Sequence, residues 1–301
     1  MLRIGYIPEH FSTPIRFAQE KGFFENHGVE VELIPYPSGS GHLIQSLKND
    51  EIDIAVGLTE AFVAGICKND TQYKIAGTYV ESPLCWAISS GVNRTDINSP
   101  EELHGKRIGV SRIGSGSYIM SFVLALQSEF SRPYYKSFPV LHNFANLRDS
   151  VNLKEGVEPS DAFMWEHFTS KKYYDNGEIK RIGEIYTPWP SWVIVGSSKL
   201  EETQLQKALK AVQEGVDYFD EHKTEAVEHI STHLDYSTED AMEWLKTVKF
   251  SSDVTRIDYN RSIVNTARIL KTAGVVQQEN EPDEVIDERL AAGISAIKDS
   301  V

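Results

Sequence analysis

One stretch constrains the fold more than any other: Lys106 to Gln127, reading KRIGVSRIGSGSYIMSFVLALQ. The β-branched run Ile108–Val110 predicts a strand, the Ser/Gly-rich segment Ser111–Ser117 a turn, and the long apolar segment after it a helix. The first turn of a helix carries unpartnered N–H groups and partial positive charge, and glycine lets a ligand approach that backbone. Gly114, Ser115, Gly116 and Ser117 therefore read in two ways. They form either a βα turn with a serine N-cap or a cradle for a small anionic group. The spacing matches neither a P-loop, since no Gly-Lys-Ser/Thr follows, nor a dinucleotide fingerprint.

The same pattern recurs upstream. LRIGYI predicts a strand, and a turn-rich loop from Pro8 to Pro14 carries Glu9, His10 and Phe11. The amphipathic helix IRFAQEKGFFENHG and a second strand, VEVELIPY, complete a βαβ unit. A Ser/Gly turn with Ser38 and Gly39 then leads to a helix from His42 to Leu47, and IDIAVGLTEAFVAGI reads as a buried strand whose far end carries Thr59 and Glu60. Parallel sheets bind ligands at the carboxyl ends of their strands, so three loops of this half place polar residues at one rim.

Further along, IAGTYVESPLCWAISS predicts a pair of strands leading out of the first half, and Ser99-Pro100-Glu101-Glu102 is a capping box. LRDSVNLKEGVEPSDAFMWE then runs as helix, turn, aspartate, apolar strand and glutamate, as HLIQSLKNDEIDIAVGLTE does. The chain thus builds the same kind of lobe twice. In IYTPWPSWVIV, prolines hold Trp189 and Trp192 before a β-branched run, and from Ser198 onward the chain reads as covering helices.

Charge narrows the partners. The net charge is −14, with acid concentrated toward the C-terminal third and balanced charges in the middle. That disfavours nucleic acid and anionic membranes, and a small-molecule ligand is the expected partner. The expectation is also for no metal and no cofactor. Cys67 and Cys85 lie outside any CxxC spacing, and His229 and His233 lack the glutamate of a zinc helix. MLRIGYIPEH has no signal-peptide core and no stretch could span a membrane, so the chain is expected to be cytoplasmic, or periplasmic if it is a renumbered mature form.

The segments RIGYIPEHFSTPIRFAQEKGFFENHGVEVELI, SLKNDEIDIAVG, INSPEELHGKRIGVSRIGSGS and LKEGVEPSDAFMWEHFTS resemble the solute-binding proteins of ABC importers. The likeness is to the branch that binds sulfonates, nitrate or thiamine-pyrimidine precursors, which includes the fungal thiamine pyrimidine synthases. It implies an α/β, two-lobed type II periplasmic-binding-protein-like fold with mostly parallel sheets and two crossing strands as a hinge. Residues 1–90 and 193–301 would form one lobe and 91–192 the other, with crossings near Ser89-Ser90 and Val193–Val195. It also implies a cleft site at Glu9 to Phe11, Ser38 and Gly39, Thr59 and Glu60, Ser111 to Ser117, and Trp165 with Glu166.

The expected activity is non-enzymatic binding of a small anionic or heterocyclic ligand. Backbone N–H groups of Gly114 to Ser117, with Arg112, would take a negative end. Trp165, Trp189, Trp192 or Phe11 would stack on a flat body, unless the indoles are core packing, and Glu60, Glu166 or Glu9 would accept from amino groups. No catalytic set is expected. The alternative is a pyrimidine-synthase-type enzyme using pyridoxal phosphate, with His10 as the one acid–base candidate.

Overall fold

The computed structural model describes residues 1–276 and 281–299. Two sheets organise the fold. The first contains β1 (Leu2–Tyr6), β2 (Val31–Pro35), β3 (Ile54–Leu58), β4 (Tyr73–Val80) and β9 (Trp192–Ser197), in the order β2-β1-β3-β9-β4. The second contains β5 (Cys85–Gly91), β6 (Ile108–Gly109), β7 (Ala162–Glu166) and β8 (Ile179–Tyr186), in the order β6-β7-β5-β8. The βα units put α1 (Thr13–Glu20), with the single turn α2 (Phe23–Asn26) after it, α3 (Ser40–Lys48) and α4 (Thr59–Cys67) on the first sheet, and α5 (Gly116–Gln127), α6 (Phe144–Val151) and α7 (His167–Asp175) on the second.

The duplicated motif is reproduced at the level of single hydrogen bonds. Asp53, just before β3, takes the backbone N of Arg3 at 2.8 Å and its guanidinium at 2.9 and 3.1 Å. Asp161, just before β7, takes the backbone N of Arg107 at 2.7 Å and its guanidinium at 2.9 and 3.0 Å. β1 runs parallel to β3, as β6 runs parallel to β7. Each aspartate pins the start of one parallel strand to its neighbour, so the carboxyl ends of the pair emerge level.

Each sheet also carries an antiparallel strand beside its parallel pair: β9 against β3, and β5 against β7. Their amino-terminal ends therefore lie at the same edge as the carboxyl ends of β3 and β7. Trp192 pairs with Leu58, the last residue of β3, and Trp86 pairs with Glu166, the last residue of β7.

Two expectations change here. β5 lies wholly in the second sheet from Cys85, so the chain crosses at residues 81–84 and returns at 187–191, earlier than Ser89-Ser90 and Val193–Val195. The two segments are laced together: Leu84 and Thr187 exchange bonds at 2.9 and 3.0 Å, and Ser191 Oγ donates to Ser82 O at 2.7 Å. The apolar run after Leu58 is not strand but helix, beginning at Thr59. Because that helix is buried on nearly every side, its sequence shows no polar face to mark the change of period.

From α8 (Glu202–Glu221) through α9 (Lys223–His233), α10 (Thr238–Leu245), α11 (Asn265–Ala273) and α12 (Asp283–Ala292) the chain is mainly helical, with α8 packed on α1. Among the described residues, no helix is long and apolar enough to cross a membrane.

Candidate functional site

Where the strand ends of the two sheets face each other, they enclose a cavity. It leaves about 30 Å³ for the centre of a water-sized sphere, within about 390 Å³ of unfilled space. The first sheet contributes Ile7 and Glu9 after β1, Gly39 and Ser40 after β2, and Leu58 with Trp192. From the second come Trp86, Ser111, Ser115 to Ser117, Trp165 and Glu166, and from the first crossing Leu84.

Two helices begin at this cavity from opposite sides. α3 follows Gly39, whose φ of +89° favours glycine, and α5 follows the Ser111–Ser117 turn, where Gly114 has φ of +85°. Ser115 caps α5, its Oγ accepting from Tyr118 N at 3.4 Å, and its hydroxyl is 2.9 Å from Ser117 Oγ. The N–H groups of Gly116 and Ser117 precede the first intrahelical bond, and those of Ser40 and Gly41 do the same in α3. Both positive helix ends converge on the space.

Indole chemistry reinforces this polarity. Trp86 and Trp192 are 3% and 2% exposed, both line the cavity, and neither Nε1 has a hydrogen-bond partner. A buried N–H left without an acceptor costs about 1–3 kcal/mol, and two residues of this one lining carry such a group.

The carboxylates supply the opposite chemistry. Glu9 Oε1 accepts from Trp165 Nε1 at 3.2 Å, across the two sheets. Burial, and then the charge of Glu166, push the Glu9 carboxyl up to about 8. Glu166 caps α7 by accepting from Thr169 N at 2.7 Å. Burial works to raise its pKa, but His10 and the amides at the α7 terminus hold it below the usual carboxylate range. His10 Nε2 lies 3.4 Å from Glu166 Oε1 at an angle that makes no hydrogen bond, in a fully buried nest formed by Phe11, Tyr236 and Trp244.

Among the residues expected at the site, Glu9, Gly39, Ser111, Ser115, Gly116, Ser117, Trp165, Glu166 and Trp192 line the cavity. The others lie behind it. His10 and Phe11 form the layer beneath, with Phe11 packed on Trp192 at 5.0 Å. Ser38 Oγ is bonded to His42 Nδ1 at 2.7 Å, and Gly114 shapes the turn. Arg112 reaches from the second sheet's loop to α3, close enough to Gly41 that a Cβ there would meet its Cβ at 3.3 Å. Thr59 donates to Pro190 O at 2.6 Å, and Glu60 accepts from Trp189 Nε1 at 3.0 Å. Those residues anchor the returning crossing: Trp189 is fully buried, held by Glu60, whose carboxyl burial pushes up to about 7. Sequence reasoning missed Ile7, Ser40, Leu58, Leu84 and Trp86. The nearest signal for Trp86 was its position at the start of a strand read as leaving the first half.

His229 and His233 stack on one another with ring centres 4.7 Å apart. Among the described residues, no group of three or more His, Cys, Asp or Glu is placed to hold a metal.

Residues 86–185 match the family profile described as Ca3427-like PBP, and residues 1–95 match the NMT1-like family. The chain is 51% identical to the Candida albicans CA3427 gene product, described as defining a new family with the generic periplasmic binding protein fold; the alignment covers 100% of this chain and 98% of that one, with a TM-score of 0.93. It is also similar to the alkanesulfonate-binding protein SsuA of Xanthomonas axonopodis pv. citri bound to MOPS, at 14% identity over 92% of this chain and 94% of that one, TM-score 0.72. The periplasmic nitrate-binding protein NrtA of Synechocystis PCC 6803 aligns at 15% identity over 97% of this chain and 86% of that one, TM-score 0.69. At those identities the likeness is one of fold. No protein of the curated set matches significantly.

Proposed function

Because the chain belongs to the Ca3427-like family of proteins with the periplasmic binding protein fold, we propose that it works as a non-enzymatic binding protein, closing its cleft on one small polar ligand. The observation that carries this reading is the pair of indoles, Trp86 and Trp192, each with a buried and unpartnered N–H, in the lining of a cavity where α3 and α5 begin. Together they offer donors to a carboxylate, sulfonate, nitrate or similar acceptor-rich group. Glu9 and Glu166, opposite in chemistry, favour a ligand that also bears amino or ammonium hydrogens. An aminopyrimidine with an acidic substituent, or an amino-sulfonate, meets both demands.

A pyridoxal-phosphate enzyme needs a lysine to carry its cofactor. No lysine lines the cavity among the described residues, and the arrangement does not fit that group.

The test is native mass spectrometry of freshly purified protein, followed by calorimetry with whatever small molecule is released. A retained acid-bearing compound of stoichiometry one, rebinding the stripped protein, is the expected result. Failure of stripped protein to bind any of a panel of carboxylates, sulfonates, nitrate and aminopyrimidines overturns the reading.

A further inference from the structure

Ile7, Glu9 and Trp165 line two spaces: the inner cavity and an outer chamber. The Trp165–Glu9 hydrogen bond of 3.2 Å stands as a partition between them. Measured alike, the inner space is about 30 Å³ and the outer about 170 Å³. One water needs roughly 10–15 Å³ on this measure, so the inner cavity admits little more than an acid group. Any larger ligand has to continue past the partition.

The outer chamber has its own chemistry. Phe144, Trp165, Tyr173 and Tyr236 line it, the first two stacked with ring centres 5.3 Å apart, Asp235 adds a carboxylate and Glu9 a carboxyl that burial keeps neutral, while its described lining includes no lysine or arginine. Aromatic rings beside a carboxylate attract organic cations. These rings already attract one from the chain itself. The Arg148 guanidinium, which is not part of the lining, sits 3.7 Å from the Tyr173 ring centre and 4.6 Å from that of Phe144. Asp235 is fixed by Tyr173 OH at 3.1 Å and otherwise pairs with the exposed Lys172, which an incoming cation can displace to solvent. The wall is drawn from both halves of the fold, since Thr169 Oγ1 and Tyr236 OH meet at 2.7 Å.

We propose that the outer chamber is a second subsite, taking an ammonium or other organic cation at the far end of the ligand whose acceptor end occupies the inner cavity. This rests on the reading of the cleft given above, and narrows the ligand to an elongated zwitterion.

The experiment is calorimetry on the full chain with glycine, β-alanine, 4-aminobutyrate and 5-aminopentanoate. Each is compared with the alkyl acid of equal length, from acetate to pentanoate, and butylammonium alone is included. Wild type, Asp235→Asn and Tyr173→Leu are measured in parallel. Once the chain is long enough, the amino acid should bind about tenfold tighter than its alkyl partner. Both variants should lose that gain with acetate affinity unchanged. Equal affinity of the two series at every length, or a gain that survives both variants, overturns the subsite while leaving the cleft reading standing. If no acid binds but butylammonium binds wild type and not Asp235→Asn, the cation subsite stands and the cleft reading falls. If nothing binds, both fall.

Discussion

Trp86 and Trp192 occupy equivalent places in the two sheets: each lies at the amino-terminal end of an antiparallel strand, second in β5 and first in β9, and pairs with the last residue of the adjacent parallel strand, Glu166 for Trp86 and Leu58 for Trp192. Their rings come from opposite halves of the fold to one cavity, and neither indole N–H has an acceptor. A ligand bound to both would be gripped by both sheets at once, which couples binding to closure.

Replacing either indole with phenylalanine separates binding from stability. Removing an unpartnered N–H relieves the unliganded fold of about 1–3 kcal/mol while the smaller ring leaves a cavity that costs about as much, so Trp86→Phe and Trp192→Phe should each change unfolding free energy by less than about 1.5 kcal/mol. Affinity for the compound retained by wild type should fall about tenfold in each. Denaturant unfolding and calorimetry measure the two quantities. Unchanged affinity in both variants would show that the indoles do not face the ligand.

Closure itself can be blocked at Gly116. A Cβ there would meet Leu58 Cδ1 at 2.5 Å and the Trp86 ring at 3.0 Å, which places α5 of one half tightly against β3 of the other. Gly116→Ala should therefore prop the cleft open. Small-angle scattering in the presence of ligand should give a larger radius of gyration than wild type, with affinity reduced at least tenfold. A variant as compact and as tight-binding as wild type would refute the contact.

Much of this plan was legible in the sequence because the chain writes it twice. The aspartate read in both SLKNDEIDIAVG and LKEGVEPSDAFMWE is the residue that clamps Arg3 in one sheet and Arg107 in the other. The Ser/Gly turns stand where α3 and α5 start at the cavity. What stayed hidden depended on the direction of a side chain. Trp189 stands between two prolines, but its bond to Glu60 turns it inward, and no local pattern encodes a partner 129 residues away. Trp86 was hidden for a related reason: only the antiparallel pairing of β5 with β7 brings the amino-terminal end of that strand to the rim.

The Asp161 clamp gives a stability prediction with a definite sign. Burial works to raise its carboxyl, but bonds from Arg107 and Arg94 outweigh it and hold the pKa well below the usual carboxylate range. A depressed folded-state pKa contributes stability above the ordinary carboxylate range that is lost as pH falls through the folded value. Asp161→Asn removes the charge between two guanidinium groups whose side chains are 19% and 30% exposed, and should cost about 2–3 kcal/mol at pH 7. The deficit should shrink as pH falls below the ordinary carboxylate range, where the unfolded wild-type chain takes up a proton that the folded clamp still excludes. Urea unfolding at pH 7 and pH 3 measures both, and a deficit that does not depend on pH would mean the pairing is not what the aspartate provides.

Glu9 should act in the opposite sense. Its carboxyl, raised from 4.5 to about 8 by burial and by Glu166, stays protonated in the folded chain where the unfolded chain has already released its proton. Between those values the native state binds more protons than the unfolded state, so stability falls as pH rises, and stops falling above about 8. Glu60, raised to about 7, adds a slope of the same sign over a narrower window, while Glu166, shifted down, contributes below the window. Glu9→Gln isolates the Glu9 part, because the glutamine carbonyl can still accept from Trp165 Nε1 while the side chain no longer titrates. In ligand-free protein the stability of wild type should decline more steeply than that of the variant between pH 5 and pH 8, by at most about 1.4 kcal/mol per pH unit, and the two curves should run parallel above that. Curves that stay parallel throughout would mean that Glu9 is already ionised at neutral pH, leaving the cavity with two carboxylates and no place for an acid group.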